Sequence, residues 1–171
     1  MELLEKIGEY LKKHELKMAT AESCTAGLIV SELAGIPGSG QSIDCGLAVY
    51  SPEAKNRYLS VSFDTIDTYG LTSEVTSREM ALGALNNNDA NVAIANTGIA
   101  GPKPHDDIPV GTVCFAWAFR HAQEVYIIVE TKRFSGDRNE VRLAAAHYAL
   151  EMVPKHHGDV LAGKAPRVDE S

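Results

Sequence analysis

The sequence predicts an α/β fold, a three-layer α/β/α sandwich with a mainly parallel mixed sheet and a C-terminal antiparallel hairpin. Over the first hundred residues, short runs of small and β-branched residues alternate with segments whose apolar residues recur at helical spacing, which is typical of βαβ units. Two longer apolar runs then follow each other across a short turn, which predicts antiparallel strands. A length of 171 residues, with 44% hydrophobic and 23% charged residues, suits one globular domain.

Ten elements are predicted from apolar spacing and turn residues. In chain order they are a helix over residues 3–14, strand 17–22, helix 25–34, strand 43–50, helix 52–59, helix 72–85, strand 92–96, strands 112–120 and 125–134, and helix 137–152. Residues 154–171 are polar, contain glycine and proline, and are predicted to be disordered. The domain is therefore assigned to residues 1–153.

The earlier elements rest mainly on spacing. The N-terminal helix has leucine and isoleucine at helical intervals and ends in basic residues, which suit the helix dipole. A short strand follows it, and the next helix ends in the turn-forming segment 35–40, which contains three glycines and a proline. The second strand, residues 43–50, is rich in small and β-branched residues.

The later elements have clearer boundaries. Ser51 is a favoured N-cap and Pro52 suits the first helical position, so a helix is predicted to start there. Either residue of the pair 72–73 caps the next helix, which ends in the polar run 86–89. The two longest strands form a hairpin, and Pro154 is predicted to stop the last helix.

Composition and charge exclude several classes of function. The net charge is −7 and the basic residues are not clustered, which argues against a nucleic-acid partner. Cys24, Cys45 and Cys114 are widely spaced and the six histidines show no metal spacing, so neither a disulfide framework, a metal site nor another cofactor is expected. The chain shows no signal-peptide pattern and no apolar run of transmembrane length, so the expected location is the cytoplasm, away from the membrane.

Small hydroxyl and thiol residues mark the first predicted strand-to-helix junction. Ser23, Cys24 and Thr25 lie there, where free backbone N–H groups and the positive end of the helix dipole favour an anion or an oxyanion. Ligands of open α/β sheets bind beyond the carboxyl ends of the strands. Loops after three predicted strands would therefore bring Ser23 together with Tyr50, Lys55 and Thr97 at one rim. The junction is the first place to expect chemistry.

These side chains suggest acyl transfer, most simply amide hydrolysis. A serine hydroxyl needs an adjacent base, and a desolvated neutral Lys55 can supply one. Tyr50 can relay the proton or hold Lys55, and Thr97 can hydrogen-bond the nucleophile or the substrate. Backbone N–H groups directly after Ser23 can form an oxyanion hole.

Each residue also has a purely structural interpretation. Ser23 is most simply a helix cap, Lys55 a surface lysine, and Tyr50 a strand residue that packs its ring. Thr97 and the glycines that follow can form a tight turn. Cys24, at a helix N-terminus, is an alternative nucleophile if its pKa is lowered there.

Five segments, taken together, resemble the CinA C-terminal domain family. They are residues 21–27, 50–55, 97–102, 109–113 and 136–138. The resemblance covers roughly residues 3–153 and implies an α/β/α fold and a homo-oligomer. It also implies metal-independent hydrolysis of the carboxamide of nicotinamide mononucleotide, a small nucleotide substrate, to nicotinate mononucleotide and ammonia, with a role in pyridine nucleotide recycling.

The resemblance also implies roles for individual residues. Ser23 matches the nucleophile, Lys55 and Tyr50 its activating groups, and Thr97 a member of the same network. Arg138 is the best candidate for a phosphate contact, although a plain surface arginine at a helix start is an alternative. The full set assigned to substrate binding is Glu22, Cys24, Thr25, Gly27, Gly98, Gly101 and Arg138.

Some positions depart from the family pattern. Ala26 and Pro52 replace the usual glycine and asparagine, and residues 103–108 replace a glycine-rich loop with a segment that contains proline and two aspartates. Such a loop is stiffer and more negative, which disfavours close approach of a phosphate. An inactive or altered paralogue that binds a nucleotide or a protein is therefore the alternative hypothesis, and an amidase of a different pyridine or nucleoside compound is a third.

Overall fold

Seven α-helices and five β-strands form within residues 2–170, the part of the chain that the computed structural model describes. The strands are β1 (Met18–Glu22), β2 (Ile43–Ala48), β3 (Val92–Gly98), β4 (Thr112–His121) and β5 (Glu124–Arg133). The helices are α1 (Glu2–Lys13), α2 (Leu28–Ala34), α3 (Pro52–Leu59), α4 (Phe63–Tyr69), α5 (Glu74–Asn86), α6 (Arg138–Glu151) and α7 (Val153–Leu161). Short 3-10 turns lie at Ser39–Ser42 and Val168–Glu170.

The strands form one mixed sheet in the order β2-β1-β3-β4-β5. Strand β1 is parallel to both β2 and β3, and the later pairs β3-β4 and β4-β5 are antiparallel. The predicted α/β class, the mainly parallel first half and the C-terminal hairpin are all confirmed. The parallel strands β1, β2 and β3 end at the same edge of the sheet, which fixes where the loops after them meet.

Each face of the sheet has a different core. Larger residues such as Ile94 and Trp117 face α1, α2, α6 and α7, and the Trp117 indole donates to the Ala149 carbonyl at 2.9 Å. Alanines face α3 and α5, because side chains alternate along a strand. These alanines are Ala19, Ala21, Ala93, Ala95, Ala116 and Ala118. Helices therefore cover both faces, as the predicted three-layer arrangement requires.

The expected disorder from residue 154 onward is corrected by the structure. Pro154 lies in the first turn of α7, a position that proline tolerates well because its missing N–H would be unsatisfied there anyway. Helix α7 buries Val153, His156, His157 and Val160 against the core. The Pro166 carbonyl then accepts a hydrogen bond from the Ile127 amide at 3.1 Å. Buried contacts and backbone pairing, which composition alone does not reveal, order this segment.

Two helices differ from the sequence prediction. Helix α2 begins at Leu28 rather than at residue 25, because Gly27 adopts φ 100° and residues 23–27 form a turn. Helix α4 was not predicted, although Ser62 caps it by accepting a hydrogen bond from the Asp64 amide at 3.2 Å. No helix within residues 2–170 is both long and apolar enough to cross a membrane.

Candidate active site

The side chains of Ser23 and Lys55 meet at the carboxyl edge of β1. Ser23 directly follows β1, and Lys55 lies one turn into α3, which Ser51 caps as predicted through the Ala54 amide. The Lys55 Nζ atom donates to Ser23 Oγ at 2.9 Å. The pair predicted from separate loops is therefore in direct contact.

Lys55 is buried, and no carboxylate within residues 2–170 pairs with it. Only 1% of the residue is exposed, and its amine also donates to the carbonyls of Val49 at 2.8 Å and Tyr50 at 2.9 Å. Burial lowers the pKa of the Lys55 amine to about 8, because removal from water disfavours its charged form. A neutral amine next to the Ser23 hydroxyl is thus accessible close to neutral pH, so the surface-lysine interpretation is wrong.

Tyr50 holds Lys55 through its backbone, not its ring. Its carbonyl accepts the hydrogen bond from the amine, while the residue is 57% exposed and its hydroxyl accepts from Arg138 Nη2 at 3.2 Å. Arg138 Nη1 also donates to the Gly101 carbonyl. Tyr50 therefore joins the buried amine to an arginine at the rim of the site.

Thr97 lies beside Ser23 without a hydrogen bond to it. Glu22 pairs with Asn96 in the parallel register and the Ser23 amide donates to the Asn96 carbonyl at 3.1 Å, so the next residues along, Ser23 and Thr97, are neighbours. Thr97 is 3% exposed. Among residues 2–170, its hydroxyl makes no hydrogen bond to Ser23 or Lys55.

The Glu22 side chain, at the end of β1, caps the start of α2 from the protein interior. Its carboxylate is fully buried and accepts five hydrogen bonds. The donors are the hydroxyls of Thr20 at 2.9 Å and Thr25 at 2.6 Å, and the amides of Gly27 at 3.2 Å, Ile29 at 2.8 Å and Val30 at 3.2 Å. An anion already satisfies the first amides of this helix, so the expected anion site at the helix start is not free. Glu22 positions the turn and is not exposed to a substrate.

Asn96 links this carboxylate to the Ser23 turn. Its Nδ2 atom donates to Thr25 Oγ1 at 2.7 Å, and its Oδ1 atom accepts from Cys24 Sγ at 3.3 Å. Asn96 is fully buried at the end of β3. The sequence analysis missed it, although a polar residue that closes an apolar strand is a readable signal.

Cys24 is buried and its thiol stays protonated. The residue is 4% exposed, and burial raises the pKa of the thiol to about 12. A thiol that reacts as a nucleophile requires the opposite shift. Within residues 2–170, the backbone amides of Cys24 and Thr25 donate to no other residue, in contrast to those of Ser23 and Ala26 on either side. The Cys24 amide contacts its own thiol. Two N–H groups that bond no other residue of the described chain thus follow Ser23 directly.

Arg142 ties α6 to the same turn, and the sequence analysis missed it too. Its Nε atom donates to the Cys24 carbonyl at 2.9 Å and its Nη2 atom to the Thr25 carbonyl at 3.3 Å. With both carbonyls held on one side, the peptide groups of the turn are fixed in orientation. The two free amides are therefore held in place by a contact from a helix more than a hundred residues away in sequence.

The assigned glycines and the altered loop lie around this centre. Gly27 is the N-cap of α2, and Gly98 pairs with Val113 at the end of β3. Gly101 has φ 101°, and an added Cβ would approach a Val110 methyl within 2.7 Å, so the loop base is closely packed. The loop itself projects outward, and residues 102–107 are all exposed. No group of three or more His, Cys, Asp or Glu side chains in the described chain is arranged to hold a metal ion.

Comparison with known proteins assigns the family. The CinA C-terminal domain matches residues 1–156. The chain belongs to the CinA C-terminal domain family. Its fold is shared with the competence/damage inducible protein CihA from Agrobacterium tumefaciens, whose crystal structure aligns with a TM-score of 0.85 at 38% identity, over 91% of this chain and 94% of that one.

Family members of two sizes resemble this chain. Nicotinamide-nucleotide amidohydrolase PncC of Enterobacter agglomerans is 42% identical over 151 residues, which are 88% of this chain and 90% of PncC. A CinA-like protein of Chloroherpeton thalassium is 43% identical over 156 residues, which are 90% of this chain but 37% of that protein. The chain therefore matches the amidohydrolase along nearly its whole length and the CinA-like protein over a little more than a third of it.

Proposed function

We propose that this protein is a metal-independent amidohydrolase that converts nicotinamide mononucleotide to nicotinate mononucleotide and ammonia. The observation that carries the proposal is the buried contact of Lys55 Nζ with Ser23 Oγ at 2.9 Å. A serine next to a lysine of lowered pKa is an activated nucleophile. The match with nicotinamide-nucleotide amidohydrolase PncC over 90% of its length supports this substrate.

The reaction begins with attack of Ser23 Oγ on the carboxamide carbon. The hydroxyl proton passes to the lone pair of neutral Lys55, and the carbonyl oxygen of the substrate becomes an oxyanion. We propose that the backbone amides of Cys24 and Thr25, which donate to no other residue within residues 2–170, donate to this oxyanion. The Lys55 ammonium then returns the proton to the amide nitrogen, the C–N bond breaks and ammonia leaves.

Hydrolysis of the acyl intermediate by water completes the cycle, again with Lys55 as the proton carrier. Lys55 accepts a proton from the water as its oxygen attacks the acyl carbon, and the tetrahedral intermediate expels Ser23 Oγ, which regains a proton from Lys55. The two carbonyls of Val49 and Tyr50 hold the amine in place throughout. Thr97, beside Ser23, is proposed to hydrogen-bond the bound substrate.

Substrate binding is proposed to involve the rim of the site. Arg138 is exposed and uses one guanidinium nitrogen for Gly101 and another for Tyr50, so it retains N–H groups for a phosphate. Gly98 and Gly101 shape the adjacent loop. Cys24, Thr25 and Gly27 contribute through the backbone of the turn, while Glu22 acts indirectly by fixing it.

The cysteines and the family bear on the location and assembly of the protein. We place the protein in the cytoplasm, because its three cysteines, Cys24, Cys45 and Cys114, are free thiols. No nucleic-acid or membrane partner is proposed, and a homo-oligomer is proposed from the family resemblance.

Ammonia release from nicotinamide mononucleotide by the purified protein tests the proposal. Ser23→Ala should lower kcat by about 10⁴-fold or more, because no other group can form the acyl intermediate. Ser51→Ala, which removes a nearby hydroxyl that only caps α3, is the matched control and should retain activity. Absence of turnover by the wild type at millimolar substrate would contradict the proposal.

The exposed loop supports one alternative. Asp106 and Asp107 project from it with φ values of 50° and 61°, and they would repel a phosphate that approached the rim. An altered paralogue that binds a nucleotide or a protein without hydrolysis would keep the fold and lose turnover. Replacement of residues 103–108 by a glycine-rich loop distinguishes the amidase from the altered paralogue. Activity that appears only in this loop variant would show that the natural loop blocks the substrate site.

A further inference from the structure

Strand β5 leaves a row of backbone groups unpaired at the end of the sheet. It is an edge strand of ten residues, and the C-terminal segment covers only its beginning, through the Ile127–Pro166 hydrogen bond and the Tyr126–Arg167 bridge. Beyond Ile127, no other segment of the described chain pairs with this edge. Such an edge is a template for another strand.

The direction of the free groups follows from alternation along the strand. The Ile127 amide points away from β4, toward Pro166, and the Phe134 amide points the other way, toward Gly111. Odd-numbered residues therefore direct their N–H and C=O groups to the open edge. Those groups belong to Val129, Thr131 and Arg133, all of which are exposed.

The same segment is complementary to itself when it is reversed. In an antiparallel pair centred on Thr131, Glu130 of one strand lies opposite Lys132 of the other, twice by symmetry. Both side chains lie on the α6 face, where Tyr148 donates to Glu130 at 2.6 Å and the Lys132 ammonium lies 3.8 Å from the Tyr148 ring centroid. Opposite charges that directly face each other across two antiparallel strands stabilise the pairing.

Other registers lose this match. A pair centred on Val129 places Glu130 opposite Ile128, and one centred on Arg133 places Lys132 opposite Phe134. The Thr131 register also sets Val129 opposite Arg133, whose aliphatic stem can cover the half-exposed valine. Although the chain carries −7 overall, this edge carries Glu130, Lys132 and Arg133, so a second copy is not repelled there.

We propose that two copies of this chain associate through β5, antiparallel and centred on Thr131, to form a continuous ten-stranded sheet. Six backbone hydrogen bonds join the strands, made by Val129, Thr131 and Arg133 of each copy. The interface is independent of the proposed amidase reaction. Because edge pairing buries a modest area, the dimer is expected to dissociate in the micromolar range, at about 1–100 μM.

Charge reversal tests the register. Sedimentation analysis of the full chain at about 1–100 μM should show a monomer–dimer equilibrium. Lys132→Glu and Glu130→Lys should each weaken the dimer by at least about tenfold, since two attractive pairs become two repulsive ones. The double variant Glu130→Lys/Lys132→Glu should restore it. A restored double variant cannot be explained by lost contacts with Tyr148.

A second pair of variants tests the backbone contacts. Val129→Pro removes an outward-facing N–H that has no partner within residues 2–170 of its own chain, so it should abolish the dimer with the melting temperature of the monomer nearly unchanged. Val129→Ala is the control and should dimerise. Hydrogen exchange should protect the amides of residues 129, 131 and 133 only at high concentration.

Two results would overturn the proposal. One is that the wild type has the mass of a single chain at every concentration up to about 100 μM, which would mean that Lys132 and Arg133 serve only to prevent strand pairing at this edge. The other is an oligomer that Val129→Pro and both single charge reversals leave intact, which would place its interface elsewhere.

Discussion

The Lys55 amine lies 2.9 Å from the Ser23 hydroxyl oxygen, and its other two hydrogen bonds go to uncharged backbone carbonyls. No carboxylate in the described part of the chain offsets the loss of solvation, so the charged form of the amine is disfavoured. This pair is unlike a surface ion pair, because the environment of the lysine favours a base.

The pH dependence of activity should report Lys55. With its pKa near 8, kcat/KM should rise with pH through about 8 and level off above it, as the neutral base becomes fully populated. Since the pKa in the unfolded chain is higher, stability should also rise with pH between about 8 and 10.5. Assays of ammonia release at a series of pH values measure kcat/KM, and urea unfolding at the same pH values measures the stability.

Lys55→Arg is the informative variant for this prediction. A guanidinium keeps the positive charge but does not deprotonate in this range, so activity should be lost and the alkaline rise should disappear. A wild-type profile that is flat between pH 6.5 and 9.5 would count against Lys55 as the base.

Cys24 should be dispensable as a nucleophile. Because burial raises its thiol pKa to about 12, it should resist alkylation by iodoacetamide in the native protein at pH 8. Cys24→Ala should retain activity within about tenfold of the wild type, since its thiol contributes one hydrogen bond, to Asn96, worth about 1 kcal/mol. If Cys24→Ala is inactive while Ser23→Ala is active, the nucleophile is misassigned.

Glu22→Gln should destabilise the fold. The substitution places an NH₂ group where a carboxylate oxygen now accepts hydrogen bonds from buried donors, so about 2–4 kcal/mol of unfolding free energy should be lost. Urea denaturation measures it. Glu32→Gln, in the helix that Glu22 caps, is the control, because within residues 2–170 this partly exposed carboxylate bonds only His147 and its loss should cost less than about 1 kcal/mol. Equal losses of unfolding free energy in the two variants would contradict the importance of the Glu22 hydrogen bonds for stability.

His156 should limit stability in acid. Both of its ring nitrogens lack a hydrogen-bond partner in the described chain, and burial against Trp117 lowers its pKa. Because the folded pKa is below the unfolded value of about 6.5, stability is present above pH 6.5 and falls as the pH drops below it. His157 next to it, which faces Tyr10, His14 and His121, has a lowered pKa too and adds to the effect.

His156→Phe isolates that contribution. The substitution removes the unpaired polar atoms and keeps a flat ring against Trp117. The free energy of unfolding at pH 5 should therefore rise relative to the wild type by about 1 kcal/mol or more. Exposed His105→Phe should leave the pH dependence unchanged. If the stability of His156→Phe falls below pH 6.5 as steeply as that of the wild type, other groups govern the loss of stability in acid.

The sequence predicts best what local pattern and parallel topology decide. Strands alternate with capped helices, so the loops that carry Ser23 and Lys55 had to meet at one sheet edge. Contacts between distant segments are not visible in such a pattern. Glu22 caps α2 from the end of a strand, Arg142 reaches the turn from α6, and burial rather than composition orders α7. Each of these contacts joins residues that are far apart in sequence, or depends on burial, and neither shows in a local pattern.

Tyr50 offers one more consequence. Its carbonyl holds the catalytic candidate Lys55, and its hydroxyl is tied through Arg138 to Gly101, at the base of the outward loop. A ligand or substitution that displaces that loop would strain the same residue that fixes the amine. Variation in residues 103–108 should therefore appear as an altered pH profile as well as weaker substrate binding, which makes the loop a tuning element for basicity.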